Sequence, residues 1–99
     1  MRLAPQVRKM QILLVAKHFA LSKGYRNVTR HEIARRAKCS VSLISYHFKD
    51  CENLHSAIMT DAVRDQDLKI LAQGIIAGDP IAVAAPRSLK SRAIREALR

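Results

Sequence analysis

The sequence predicts an all-α protein, and two features of the chain carry that prediction. Apolar residues recur at helical spacing in successive segments, so each segment could bury one face against the others. Residues that begin helices, Pro5 and Ser40, precede such segments, and helix-ending glycines, Gly24 and Gly78, follow them. We therefore expect a three-helix unit, then a long fourth helix and a short C-terminal helical tail.

The first predicted helix begins at Pro5, because proline is tolerated in a first helical turn, and ends at Gly24. Its apolar residues fall on a single face, which is the face we expect to be buried. That face consists of Ile12, Leu13, Ala16, Phe19 and Ala20.

Two short helices follow, joined by a tight turn. Thr29 and Glu32 have the spacing of a capping box, in which each side chain accepts a hydrogen bond from the other residue's backbone. Lys38 and Cys39 interrupt the apolar pattern, and Ser40 is the N-cap of the next helix. This arrangement is a helix-turn-helix, whose second helix fits the major groove of DNA.

The second half of the chain is predicted to continue as one long helix over residues 51–77, capped by Asp50 and stopped by Pro80. A tail with a further amphipathic stripe begins at Arg87. We divide the chain into a helix-turn-helix DNA-binding domain, residues 1–50, and a helical dimerisation extension, residues 51–99.

Positive charge is concentrated in the half that carries the helix-turn-helix. The net charge of the chain is +10, and residues 1–48 hold ten Lys and Arg against Glu32 alone. This distribution is typical of a protein that binds a polyanion. The alternative is a solvated basic surface without a specific partner.

Several residues of the first half, at their spacing, resemble the DNA-binding domain of TetR-type transcriptional regulators. The residues that carry the resemblance are Gly24-Tyr25, Thr29, Glu32-Ile33-Ala34, Ala37, Ser40 and Tyr46-His47-Phe48. The resemblance begins near Ile12 and ends near Leu54. It implies a DNA-binding function and, in the family, a second helical domain for a small ligand. The 99 residues leave no room for that domain, so we expect no small-molecule effector.

The sequence departs from the family pattern at four positions. Lys38 stands where relatives have glycine in the turn, Ser45 where they have tyrosine, and Cys51 where they have lysine. Ala20 stands in place of an aromatic residue of the first helix. Two backbone-phosphate contacts of the family are therefore absent or replaced.

Candidate DNA contacts follow from the docking geometry of the helix-turn-helix, since the first residues of the recognition helix reach base edges. The residues predicted to enter the groove are Val41, Ser42, Leu43, Ser45 and Tyr46. The residues predicted to contact phosphates at the start of the second helix are Thr29, Arg30 and His31. His47 and Lys49 are the other predicted DNA-binding residues. The groove-facing residues contain no Arg, Lys, Asn or Gln, so apolar contacts with thymine methyl groups and hydroxyl contacts are the base readout that remains. Leu43 is predicted to be exposed, whereas Tyr46 fits the groove and the core equally well.

Further basic residues allow a weaker assignment. Arg2, Arg8 and Lys9 could form an arm that reaches phosphates or a minor groove, and Arg35 and Arg36 could be solvated.

A metal site is not predicted. His47, Cys51 and His55 are spaced by four, which would align them on one continuous helix, but the segment between Phe48 and Asp50 reads as a break. No phosphate-binding glycine loop, carboxylate pair or activated nucleophile is recognisable, so we expect neither a cofactor nor catalysis.

Two apolar stripes remain after the helix-turn-helix has been assembled, and a monomer of this size has little core left for them. We therefore predict a homodimer, with a dimer interface formed by Leu68, Leu71, Ile75, Leu89, Ile94 and Leu98. A homodimer of helix-turn-helix units reads a palindromic site in double-stranded DNA.

The sequence favours a sequence-specific transcriptional regulator, a repressor or autoregulator, acting at the nucleoid in the cytoplasm of a prokaryote or encoded by a phage. The chain has only two cysteines, which is typical of a protein in a reduced compartment. It has no apolar run long enough to span a bilayer, so we expect no membrane partner. The alternatives are a protein–protein adaptor or antirepressor on the same scaffold, and a non-specific architectural DNA binder.

Overall fold

The computed structural model describes residues 3–99, which form seven α-helices and one short 3-10 helix. The α-helices are α1 (Pro5–Lys23), α2 (Arg30–Ala37), α3 (Val41–Phe48), α4 (Cys51–Asp65), α5 (Leu68–Ala77), α6 (Pro80–Val83) and α7 (Arg87–Ala97), and the 3-10 helix is Tyr25–Asn27. No strand occurs within the described range. The predicted all-α class, with a helix-turn-helix followed by further helices, is confirmed.

The predicted caps of the helix-turn-helix are present. Thr29 Oγ1 accepts from the Glu32 backbone N–H at 3.2 Å, and Glu32 Oε1 accepts from the Thr29 N–H at 3.1 Å. Ser40 Oγ accepts from the Leu43 N–H at 3.1 Å, and Asp50 Oδ1 accepts from the Asn53 N–H at 2.8 Å. Each cap satisfies backbone donors that the first helical turn leaves unpaired, which is why α2, α3 and α4 begin where they do.

The prediction of one helix over residues 51–77 is wrong, because the chain breaks at Gln66 and Asp67 into α4 and α5. Gln66 adopts the left-handed conformation, with φ 58°, and the Asp67 N–H donates to the Ala62 carbonyl at 2.8 Å. No glycine or proline marks this turn in the sequence. Lys17 of α1 makes ion pairs with carboxylates on both sides of it, Asp61 at 3.1 Å and also Asp67.

Gly74 is a close-packing residue of α5. A Cβ atom at this position would lie 2.6 Å from Ala82 Cβ and 2.5 Å from Met59 Cε. The sequence indicates only that glycine weakens a helix, since its backbone is more flexible than that of alanine. In the fold, the missing side chain allows α4 and α6 to approach α5.

The C-terminal tail packs against α5 within the same chain, and this corrects two residues of the predicted dimer interface. Leu71 and Leu89 are buried, so they are not available to a second copy. Leu68 and Ile75 are half-buried against the core. The expectation that a monomer could not cover both stripes is wrong, because α5 and α7 cover each other. Of the six predicted residues, Ile94 and Leu98 remain exposed.

Side chains from the second half of the chain anchor the end of α1. Gln73 Nε2 donates to the Ala20 carbonyl at 3.0 Å, and Gln73 Oε1 accepts from the Tyr25 N–H at 2.9 Å. Tyr25 Oη donates to Asp79 Oδ2 at 2.8 Å. The core is continuous from Ile12 to Ala93, so it takes residues from both predicted ranges, 1–50 and 51–99. The assignment of DNA binding to residues 1–50 and of dimerisation to residues 51–99 remains a prediction.

A bilayer would not be crossed by any helix in residues 3–99, since none is both long enough and apolar enough.

Candidate nucleic-acid interface

The outer face of α3 is formed by a small number of side chains. Tyr46 is 76% exposed, which decides between the two alternatives left by the sequence: its ring is outside the core. Ser42 is also exposed, whereas Val41 and Leu43 are half-buried. The opposite face, with Ile44 and Phe48, is buried. The predicted exposure of Leu43 is therefore only partial.

Arg30 connects the start of α2 to the end of α3. Its Nη1 donates to Ser45 Oγ at 2.8 Å and to the Lys49 carbonyl at 3.3 Å. Ser45, predicted to face the groove, directs its hydroxyl oxygen at Arg30 instead, and the Arg30 side chain is half-buried. Because only Nη1 is used, donors of the other guanidinium nitrogens remain for other partners. Arg30 thus holds α3 in place and presents positive charge beside it.

The predicted phosphate site at the start of α2 contains an ion pair that the sequence did not reveal. Thr29 and His31 are exposed there. Lys23 Nζ of α1 donates to Glu32 Oε2 at 2.5 Å. This hydrogen bond, followed by those from Thr29, lowers the pKa of Glu32 below its usual value. The Glu32 carboxylate therefore stays ionised at neutral pH, and Lys23 offsets its charge at the end of the helix where an anion would bind.

The turn after α3 presents Lys49. Lys49 has φ 59°, and the Asp50 N–H donates back to the Phe48 carbonyl at 2.6 Å, which closes a three-residue γ-turn. The Lys49 side chain is exposed and stands next to the last turn of α3. A second cation therefore flanks the exposed face of this helix.

Comparison with known families identifies this arrangement. Residues 12–58, which run from within α1 into α4, match the sequence model of the tetR family of bacterial regulatory proteins. This segment is a TetR-type DNA-binding domain. The chain therefore carries the DNA-binding part of a transcriptional regulator, and TetR-type regulators are in general not enzymes. No curated protein and no solved structure matches the chain significantly.

The turn of the TetR-type domain contains Lys38, one of the residues that depart from the family pattern. Lys38 adopts the left-handed conformation, with φ 55°, at the position where glycine is usual. The Cys39 N–H donates to the Ala34 carbonyl at 3.0 Å, so the turn is closed in spite of the lysine. A non-glycine residue in this conformation costs about 1–2 kcal/mol. In return, Lys38 places a positive charge at the turn.

The first half of α1 lies beside the end of the recognition helix of the TetR-type domain. Lys9 Nζ is 5.6 Å from the centre of the Phe48 ring. Burial, followed by the charges of Lys9 and Arg8, lowers the pKa of His47 below its usual value. Arg8 and Lys9 of the predicted basic arm are thus close to α3, whereas Arg2 lies outside the described residues.

The lowered pKa of His47 predicts a pH dependence of folding. In the unfolded chain, His47 takes up a proton near pH 6.5, whereas in the folded chain it does so only at a lower pH. The contribution of neutral His47 to the free energy of unfolding is therefore fully present above pH 6.5, and it is lost as the pH falls through the pKa of His47 in the folded chain. We expect the free energy of unfolding, measured with urea, to decrease between pH 7.5 and pH 5.5. His47→Gln should reduce this decrease, whereas His31→Gln, at an exposed position of α2, should leave it unchanged.

The predicted break between His47 and Cys51 is present in the TetR-type domain. The helix α3 ends at Phe48 and α4 begins at Cys51, so His47, Cys51 and His55 do not share one helix. His55 Nε2 is bonded to the Val28 carbonyl at 2.9 Å. Within residues 3–99 there is no group of three or more His, Cys, Asp or Glu placed to hold a metal ion.

Proposed function

We propose that the chain is a homodimeric regulator that binds a palindromic site in double-stranded DNA and acts as a repressor or autoregulator. The observation that carries this proposal is the exposed face of α3, with Ser42 and Tyr46, flanked by Arg30 and Lys49 inside a TetR-type domain. A recognition helix docks in the major groove, and cations beside it are placed to contact the phosphates.

Affinity and specificity would come from different residues. Lys38, Lys49 and the free donors of Arg30 meet phosphates, which position the protein without reading sequence. Val41, Ser42, Leu43 and Tyr46 meet base edges, where Val41 and Leu43 offer apolar contact to the thymine methyl group. The preferred half-sites should therefore contain thymines opposite these residues. Selection of bound sites from random duplexes tests this directly, and binding without any preference would contradict specific readout.

Replacing thymine by uracil in a selected site removes only the methyl group, so it isolates the apolar contact. We expect Leu43→Ala to weaken discrimination at one base by on the order of 1 kcal/mol, the low end of what a base contact contributes. The salt dependence of binding should not change, because every phosphate contact is retained. Binding constants on thymine and uracil duplexes measure both effects.

Ile44→Ala serves as the control, since Ile44 is fully buried on the opposite face of α3. That variant should lower the melting temperature and weaken every site alike. Because Leu43 is half-buried, the melting temperature of Leu43→Ala must be measured as well. If Leu43→Ala behaves as Ile44→Ala does and uracil is tolerated at every position, the assignment of direct readout is wrong.

A further inference from the structure

The recognition helix α3 ends in a strained turn. Lys49 has φ 59° and ψ −67°, the γ-turn conformation with positive φ, which is rare and strained. Its N–H donates to the Ser45 carbonyl at 2.7 Å, and the Asp50 N–H donates to the Phe48 carbonyl at 2.6 Å. Such a conformation persists only where the surrounding structure holds it in place. The side chain that holds this turn therefore fixes the end of α3.

One side chain from outside α3 contacts this turn on both sides. Arg30, the first residue of α2, donates from Nη1 to Ser45 Oγ at 2.8 Å and to the Lys49 carbonyl at 3.3 Å. Ser45 lies one helical turn before Lys49, so the two acceptors lie at the two ends of the last turn of α3. A single planar guanidinium group thus ties the start of α2 to the end of α3. We call these two hydrogen bonds the Arg30 clamp.

The same guanidinium group keeps donors for DNA. Within residues 3–99, both hydrogen bonds of the Arg30 side chain come from Nη1, so the donors of Nε and Nη2 remain. They lie at the first turn of α2, where the helix dipole favours an anion. A phosphate bound there contacts the very group that holds α3. The phosphate contact and the orientation of the recognition helix therefore depend on one side chain.

We propose that Arg30 determines sequence specificity by fixing α3 relative to a bound phosphate, and that Ser45 is its anchor and not a base contact. This inference rests on the DNA binding of the proposed function and adds how the recognition helix is oriented. The phosphate places the start of α2 on the DNA backbone, and the Arg30 clamp transfers that position to α3. Contacts to base edges require side chains placed to within about 0.5 Å, so a loosened α3 loses discrimination before it loses phosphate contacts.

The environment of Ser45 supports the role of an anchor. Its neighbours Ser42 and Tyr46 are exposed, whereas Ser45 is half-buried and its hydroxyl oxygen accepts from Arg30. Serine is also much smaller than the tyrosine of the family pattern, so it leaves room for the guanidinium group. Base readout therefore falls to the other exposed residues of α3, and Ser45 serves the orientation of the helix.

Ser45→Ala tests the Arg30 clamp, because it removes one acceptor and no charge. The binding constant of the whole chain is measured on a duplex selected from random sequences and on a scrambled duplex of the same composition. The specificity ratio of the two should fall about tenfold. Affinity for the scrambled duplex and the salt slope should stay as in the wild type, since every phosphate contact is retained. A variant that is merely less stable would weaken both duplexes alike and leave the ratio unchanged.

Arg30→Lys separates the charge of Arg30 from its geometry. Lysine keeps the positive charge, so the salt slope should remain, but one ammonium group cannot replace the planar fork of the guanidinium. The specificity ratio should therefore fall at least as far as in Ser45→Ala. The double variant should lose no more than Arg30→Lys alone, because both changes remove the same clamp.

A direct base contact by Ser45 would give a different pattern. Ser45→Ala would then lose discrimination at a single base pair, and its loss would add to that of Arg30→Lys. A displaced α3 instead weakens discrimination at every base pair that the helix reads. Duplexes changed at one base pair at a time distinguish these patterns. Losses confined to one base pair, or losses that add in the double variant, would overturn the inference.

Amide hydrogen exchange measures the Arg30 clamp in the protein without DNA. The N–H groups of Lys49 and Asp50 should exchange faster in Ser45→Ala and Arg30→Lys than in the wild type. The Cys39 N–H, which closes the turn at the other end of α3, is the internal control and should not change. Unchanged exchange at Lys49 and Asp50 in both variants would show that the clamp does not hold the turn, and the inference would be wrong.

Lys49→Gln is the matched control for DNA binding. It removes an exposed cation beside α3 but keeps the backbone carbonyl that accepts from Arg30. Both duplexes should be weakened alike, so the specificity ratio should stay unchanged. If the wild type binds the two duplexes equally, the proposed sequence-specific function is wrong and this inference falls with it. If the wild type prefers the selected duplex and Ser45→Ala and Arg30→Lys keep its ratio, only the inference is wrong.

Discussion

DNA affinity is expected to fall by about 10³–10⁵ between 50 and 200 mM salt, if a dimer contacts 6–10 phosphates. The physical reason is the release of counterions from DNA when cations of the protein replace them. Those cations surround the exposed face of α3: Lys38, Arg30 and Lys49 at its two ends, with Arg8 and Lys9 nearby on α1. A fluorescence titration of one duplex at several salt concentrations gives the slope of log affinity against log salt. An affinity independent of salt would contradict this account.

Lys49→Gln isolates one of these cations. We expect the slope to become shallower by roughly 0.9 for each phosphate that is no longer neutralised, or ~1.8 for a dimer, with equal weakening on all sequences. Arg95→Gln is the control, since Arg95 is an exposed cation of α7 in the C-terminal tail. It removes the same charge and should leave the slope unchanged. Equal effects of the two variants would mean that net charge alone, without a defined DNA-binding face, determines affinity.

Asp79→Ala is expected to lower the free energy of unfolding by about 2–4 kcal/mol, combining the loss of a buried hydrogen bond with the loss of a helix cap. Asp79 is buried, accepts from Tyr25 Oη at 2.8 Å, and caps α6 by accepting from the Ile81 N–H at 2.9 Å. For a chain of this size, the melting temperature should fall by about 10–20 °C. Urea denaturation and thermal melting measure the two quantities.

The double variant with Tyr25→Phe separates the hydrogen bond from the cap. If the two side chains depend on each other, the double variant should be less destabilised than the sum of the single variants. Asp50→Ala removes an exposed cap without a buried partner, so it should cost less than Asp79→Ala. Additive single variants would show that the contact between Tyr25 and Asp79 contributes nothing.

The same contact predicts a loss of stability at alkaline pH. Burial and the hydrogen bond to Asp79 raise the pKa of Tyr25 above its usual value of 10.0. The stabilisation is therefore fully present below pH 10 and is lost as the pH rises through the raised value, because the unfolded chain releases this proton more readily. Urea denaturation at increasing pH measures the loss, and Tyr25→Phe should remove it.

The features that the sequence predicted correctly depend on residues close together in the chain. The caps by Thr29, Ser40 and Asp50 are hydrogen bonds across three residues, and their donors exist in any helix that begins there. The end of α1 at Gly24 follows in the same way from a local backbone preference, with φ 91°. The helix-turn-helix and the residues of its recognition helix could therefore be located from the order of residues alone.

The orientation of the side chains on α3 could be assigned only from the tertiary structure. On a helix of eight residues, periodicity alone leaves Tyr46 on the border between core and surface. Packing of Ile44 and Phe48 into the core turns Tyr46 outward. The use of Ser45 by Arg30 depends on how α2 crosses α3, because the two residues are fifteen positions apart.

Which surface covers each apolar stripe was decided only by the tertiary structure. Periodicity identified Leu71 and Leu89 as residues that must be buried, but not that α5 and α7 would bury them against each other. The break between α4 and α5 coincides with ion pairs to Lys17, more than forty residues away. Gly74 is required by contacts with α4 and α6, not by its own helix. Hydrogen bonds within a helical turn are set by neighbouring residues, and contacts between helices are set by the packing of the whole chain.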